Sequence, residues 1–292
     1  MPRTATIDAV KLKDIAELPP WEWPGNTSDK IKKMMRDHGA PEPDRKLAVE
    51  MAGNMTVIDN EISGLLIGVL IDQTEPEMLR SRAAVSLGPV LEQIDMEGFD
   101  DDPYRDDPPI TPEMFEHIKE TLQAVYRDET APKLVRRRAL EASVRAAQDW
   151  HADAIRAQYS GSDQEWKLTA IFGMRHVPGF ETQILESLNS TNQDIHVEAI
   201  RAAGEREVAE AWPHILALLE SSKTPKRLLL EAIGASAYVN PAEAGVALVD
   251  LVDSDDEEIA EAAAEAMMEA ESAKNPFDEE DEDEEDDEEY IN

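Results

Sequence analysis

The chain has 292 residues, 64 of them acidic against 28 Lys and Arg, for a formal net charge of -36, and it contains no cysteine. Disulfides, thiol catalysis and thiolate metal sites are thereby excluded, and a charge of this sign disfavours direct binding to nucleic acid. Its longest apolar run, Ile62 to Ile71, is too short to cross a bilayer, so no membrane association is expected.

The N-terminus, MPRTATIDAVKLKD, holds no apolar signal segment, which points to a cytoplasmic address. Pro19 to Gly25 (PPWEWPG) is extended and aromatic-rich, and residues 1–27 are expected to cap the exposed end of the first repeat. From 28 to 272 the pattern is helix, short polar turn, helix. Glu61 to Asp72 is a nearly all-apolar first helix, and Pro76 opens the second from its first turn. Further pairs are predicted at Phe115 to Asp128 with Pro132 to Gln148, and at Ala152 to Tyr159 with Gln164 to His176. Three more join Phe180 to Leu188 with Asp194 to Gly204, Trp212 to Leu219 with Pro225 to Tyr238, and Ala244 to Val252 with Glu257 to Ala270. No strand-like alternation competes with them.

Two acidic segments interrupt or end this pattern. Residues 95–111, DMEGFDDDPYRDDPPIT, are too acidic and proline-rich to continue a packed helix and are predicted to be an insertion. In 273–292 the run Asp278 to Glu289 is unbroken acid, which predicts a disordered tail.

A short phrase recurs through the helical region, clearest as Leu79 to Gly88 (LRSRAAVSLG). Its small residue returns at Ala83, Ala139, Ala170, Ala199, Ala232 and Ala262, with Leu47 as a weaker copy. Fixed-period self-similarity near 30 residues is the mark of a solenoid, and the one long offset, between Ala83 and Ala139, contains the insertion. Alanine at this position lets neighbouring helix axes approach closely.

These residues resemble the HEAT-repeat family, in particular the short bacterial HEAT-like units of the PBS-lyase type, over about residues 43 to 271. Leu79, Arg80, Ala83, Ala84, Leu87 and Gly88 carry the likeness. They are echoed by Val135, Arg136, Ala139 and Leu140, and by Ile195, His196, Ala199, Ile200 and Gly204. The match fades at Leu228 to Ala237 and Ile259 to Ala266, where Leu229 and Ile259 replace the basic residue. The resemblance implies an all-α, right-handed α-solenoid of six to seven helical hairpins whose second helices line a concave wall. It also implies protein binding, although some relatives act on bilin attachment or grip damaged DNA.

Against the acidic background, the helix from Ala131 to Gln148 carries Lys133, Arg136, Arg137, Arg138 and Arg145 against Glu141 alone. Arg136 holds the repeat's own basic position and is expected to be structural. Arg137, Arg138 and Arg145 are the candidate partner-binding residues, flanked by Arg82, Lys167 and Arg201. Neutralising the acidic insertion, binding an acidic partner or phosphate, and docking the C-terminal tail are the three uses open to this island. Trp150 and Trp166 are expected to fill gaps between helices.

No histidine lies in a recognisable nucleophile and base arrangement, and neither a catalytic residue nor a cofactor is expected. Glu113 with His117 and Glu210 with His214 each supply half a metal site, and no metal is expected. The reading is a non-enzymatic, monomeric scaffold or adaptor for a protein partner. A bilin-lyase-like accessory protein and an acidic nucleic-acid mimic acting through the tail remain as alternatives.

Overall fold

The computed structural model describes residues 11–99 and 108–274, and among these it is helical, with no β-strand. The chain divides into two compact units, Met1–Ala154 and Ile155–Asn292. In the first, α1 (Leu12–Ile15) precedes three helix pairs: α2 (Thr27–Arg36) with α3 (Glu42–Gly53), α4 (Asn60–Ile71) with α5 (Glu77–Ser86), and α7 (Pro112–Arg127) with α8 (Lys133–Ser143). An extra helix, α6 (Gly88–Glu97), follows α5. Second helices pack on one another in the order α3, α5, α8, and first helices in the order α2, α4, α7. This is stacking of the α-solenoid kind.

The turns explain where each second helix begins. Asp37, Asp72 and Asp128 each accept the backbone N–H two residues on, at 3.0, 2.8 and 2.9 Å, and Ser221 does the same for Lys223 at 3.2 Å. A proline stands four residues after each of them, at Pro41, Pro76, Pro132 and Pro225. These side-chain turns reverse the chain, and proline then fixes φ for the helix start. Pro76 is the N-cap of α5, with φ -56° and ψ 141°, one position outside the first turn expected for it. The Thr74 and Thr130 hydroxyls also donate to Asp72 and Asp128, and these hydrogen bonds hold both carboxyls below their ordinary range.

Four residues after the proline, an arginine reaches back. Arg80 Nε donates to the Leu70 carbonyl at 2.9 Å, Arg136 Nε to Tyr126 at 3.0 Å, and the Arg45 guanidinium to Met35 at 3.3 Å. Each carbonyl lies at the C-terminal end of a first helix, where acceptors lack helical partners and the dipole favours a cation. The basic residue of the repeat is therefore a clamp between the two helices of a pair. Arg45 does more: its guanidinium also holds both oxygens of Glu75 in the next turn, each at 2.6 Å.

The small residues occupy the centre of the stack. Ala83, Ala139, Ala170, Ala199 and Ala232 have no exposed surface. The same is true of Ala48 and Ala263 rather than the expected Leu47 and Ala262, so the register at both ends shifts by one. Between α3 and α5 the approach is closer still, since a Cβ on Gly53 would lie 2.8 Å from the Ser86 Cα.

In the second unit, α9 (Asp149–Ser160) enters from the first. It is followed by α10 (Gln164–His176), α11 (Glu181–Ser187), α12 (Gln193–Glu205), α13 (Trp212–Glu220), α14 (Lys226–Val239), α15 (Pro241–Ala247), α16 (Val249–Val252) and α17 (Glu257–Lys274). Second helices α10, α12, α14 and α17 pack in sequence. Asp163 and Asn192 cap α10 and α12 through their side chains, in place of the proline turn. The helix expected at Ala244 to Val252 is two pieces broken at Leu248.

Two further boundaries differ from expectation. Asp95 to Glu97, assigned to the insertion, belong to α6, and burial pushes the Asp95 carboxyl up. Residues 100–107 of that insertion lie outside the described residues, as do 1–10 and the acidic run of the tail. The helix expected to reach Gln148 ends at Ser143 instead. There the buried His151 ring accepts the Gln148 N–H on Nδ1 at 2.9 Å, which makes Nε2 the donor to Ser143 Oγ at 3.0 Å.

Burial lowers the His151 pKa to about 4. The folded state therefore keeps this ring neutral where an unfolded chain takes up a proton. Stability from the neutral ring is complete above pH 6.5 and is lost as pH falls towards 4, by up to about 3 kcal/mol. Urea unfolding of wild type and His151→Gln across pH 7 to 4 should give a wild-type curve that loses more stability than the variant; parallel curves would contradict this. Glu75→Gln leaves the buried Arg45 charge unpaired, and should lower unfolding free energy in urea by about 3–5 kcal/mol.

Candidate functional site

Counting from each buried alanine shows which side chains the stack presents. Positions one before and two after it lie on the outer side of the second helices, and residues of neighbouring helices pair there. Glu50, two after Ala48, takes Arg82, one before Ala83, at 3.1 Å. Arg201, two after Ala199, holds both oxygens of Glu231, one before Ala232, through its Nε and Nη2, with Nε at 2.8 Å. The same geometry appears in both units with the charges exchanged.

The six candidate residues take four kinds of place on this frame. Arg82, Arg138 and Arg201 are on the outer positions, and Arg145 lies beyond the end of α8. Arg138 pairs with Glu141 in its own helix and Arg145 with Glu92 of α6. Arg137 is two before Ala139, in register with the buried Ser81 and Val197, and is only 5% exposed. Its guanidinium lies 4.0 Å from Glu141. Lys167 occupies the clamp position equivalent to Arg80 and sets its ammonium 4.5 Å above the Tyr159 ring. Arg137 thus does not share the outer side with its neighbour Arg138, because a shift of one residue along a helix rotates the side chain by about 100°.

In the second unit the outer face holds a trough of about 400 Å³. One wall is a ladder: Arg175 grips Glu205 with Nε at 2.8 Å and reaches Glu198 at 3.0 Å, and Arg201 grips Glu231. Burial pushes the Glu198 carboxyl up, although Arg175 and Arg201 both face it. At the next step the ladder stops. Where α12 has Arg201, α14 has Gly234, and a Cβ built there meets nothing within 4 Å. Gly204, Ala235, Ala262 and Ala266 make the rest of the floor, while Tyr238, Glu265 and Glu269 form the far wall. Burial and a hydrogen bond to Glu269 push the Tyr238 phenol up. The sequence signal for this trough was a glycine at an outer repeat position, which pattern reading passes over.

Two titratable groupings were not foreseen. His214 faces His196 with Nε2 atoms 2.8 Å apart instead of pairing with Glu210, and burial lowers both pKa values. His38, Asp72 and Glu75 bring three ligand atoms within 4.8 Å of one another. Arg45 already occupies both Glu75 oxygens, so a cation there would meet a buried guanidinium. Tyr126 stacks on Trp150 at 5.4 Å, in keeping with a gap-filling role for that tryptophan. No described helix is long and apolar enough to cross a membrane.

No family model matches the chain, and no curated protein matches it. Solved structures similar to it include the Escherichia coli protein YibA, with TM-score 0.44 and 15% identity over 90% of this chain and 89% of that one. Human deoxyhypusine hydroxylase in complex with glycerol has TM-score 0.40 and 17% identity over 89% of each chain. An engineered protein has TM-score 0.35 and 15% identity over 85% of this chain and 97% of that one. Likeness at this level assigns this chain neither an activity nor a partner. It nevertheless corrects the expectation of a non-enzymatic chain: deoxyhypusine hydroxylase is an enzyme, so that exclusion is withdrawn.

Proposed function

We propose that the chain is a HEAT-like repeat scaffold that holds a protein partner on the outer face of its second helices. The supporting observation is the trough in the second unit, where the arginine and glutamate ladder ends at Gly234 and the floor is built of glycine and alanine. Small floor residues let a partner side chain approach the helix backbone, and fixed ionic walls orient it. Arg201 belongs to that wall; in the first unit Arg82 and Arg138 hold outer positions and Arg145 lies past the end of α8. A carboxylate on the partner reaches these four by exchanging with the glutamate each now holds. Exposed pairs such as Arg82 with Glu50 contribute about 0–1 kcal/mol, so exchange there is inexpensive, whereas the buried Glu141 keeps Arg138 more firmly.

Gly234→Arg is the direct test, because open space above the glycine admits the longer side chain without displacing the core. Cross-linking in extracts of the source cells, followed by mass spectrometry, should show partners captured by wild type and lost from the variant. Helicity and melting temperature should stay the same. An unchanged set of captured proteins would remove the trough from the account and leave the fold as described.

A further inference from the structure

A second trough in the same unit, of about 820 Å³, opens on the first-helix side, between α13 and the α15 and α16 pair. Three features of the chain produce it. Leu229 stands four residues after Pro225, where the first unit has its clamp arginines, so no guanidinium crosses to the end of α13. The first helix of the next pair, the one packed on α17, is broken at Leu248 into α15 and α16. Finally, α15 turns Ala242 and Ala247 towards the gap, and these are too short to reach Leu216 and Leu219. The lining is mostly apolar: Trp212, Leu219, Leu229, Leu251 and Ile259, with Val246 at the mouth 80% exposed.

The rim has the opposite character. Glu220, Glu243, Asp250 and Asp256 surround the opening against Lys226, which is held by Asp256 and Glu258 at 2.7 Å each. Trp212 Nε1 donates to Glu243 at 3.0 Å, which pins the ring into the wall. An apolar hollow of this size with a few charged groups at its edge has the composition of a binding pocket rather than of solvent-facing surface.

Charge selects among the occupants. The chain's own residues 278–289 are all acidic, and a second copy of the chain brings another -36 towards an acidic rim. Both are repelled at short range. We propose that this trough docks an amphipathic, cationic segment of another protein, with aliphatic side chains on Leu229, Val246 and Leu251, and Lys or Arg against Glu220 and Asp250. This surface is separate from the second-helix trough, and neither reading depends on the other.

The test uses the full-length chain and two labelled synthetic peptides of about 14 residues, with leucine at every third or fourth position and either lysine or glutamate between. Fluorescence anisotropy at physiological salt should show saturable binding of the lysine peptide and none of the glutamate peptide. Val246→Arg, at a solvent-exposed position, should weaken the lysine peptide by about tenfold or more. Gly234→Arg should leave it unchanged. Equal affinity for Val246→Arg would show diffuse attraction to an acidic protein and overturn the proposal, as would binding of the glutamate peptide or no binding at millimolar concentration. Two results would assign the trough to another occupant and overturn it equally: binding that appears only after residues 278–292 are removed, or a wild-type dimer in sedimentation that Val246→Arg dissolves.

Discussion

Close approach of neighbouring second helices at fully buried alanines is the constraint from which the other features follow. With Ala48, Ala83 and Ala139 at the contacts of the first unit, and Ala170, Ala199, Ala232 and Ala263 at those of the second, there is no room for larger side chains between the axes. Most of the paired arginines then lie at the helix ends and the outer positions, with Arg137 buried as an exception. Arginines four residues past the turn prolines take the helix ends, where orphan carbonyls need donors. Those beside the alanines take the outer face, where Arg82 and Arg201 meet glutamates of a neighbouring second helix and Arg138 meets one in its own.

This division accounts for how so acidic a chain keeps its few cations. Among the described arginines, Arg45, Arg80 and Arg136 are tied to backbone carbonyls, and Arg82, Arg138, Arg145, Arg175 and Arg201 to carboxylates. The exposed pairs add little stability singly. Their consequence is positional, since they fix where charge lies on the outer face and where it is missing. Gly234 and Leu229 are two places in the second unit where a charged side chain of the repeat is absent, and each borders a trough.

Much of this arrangement was legible in the residues themselves. Alanine spacing, the proline turns and the apolar first helices identified the pairs, and α10 runs from Gln164 to His176 as its pattern predicts. What escaped were facts of register. Leu47 and Ala48 are adjacent and both apolar, and Ala262, Ala263 and Ala264 are alike, so spacing alone cannot choose the buried member. Arg136, expected to be structural, does clamp a carbonyl, and a turn of about 100° per residue already separates Arg137 from Arg138; what it does not tell is that Arg137 is the buried one. The end of α8 depends on a contact between Ser143 and His151, and the outer troughs depend on missing side chains. A periodic pattern records neither tertiary hydrogen bonds nor absences.

The most direct measurement is urea unfolding with amide hydrogen exchange on Ala199→Leu, placed at the contact of α12 with both α10 and α14. Forcing three more carbons between these axes should cost about 1–3 kcal/mol and speed exchange in α10 and α14 as well as in α12. A variant as stable as wild type, with faster exchange nowhere beyond α12, would contradict the view that buried alanines set the spacing of this stack.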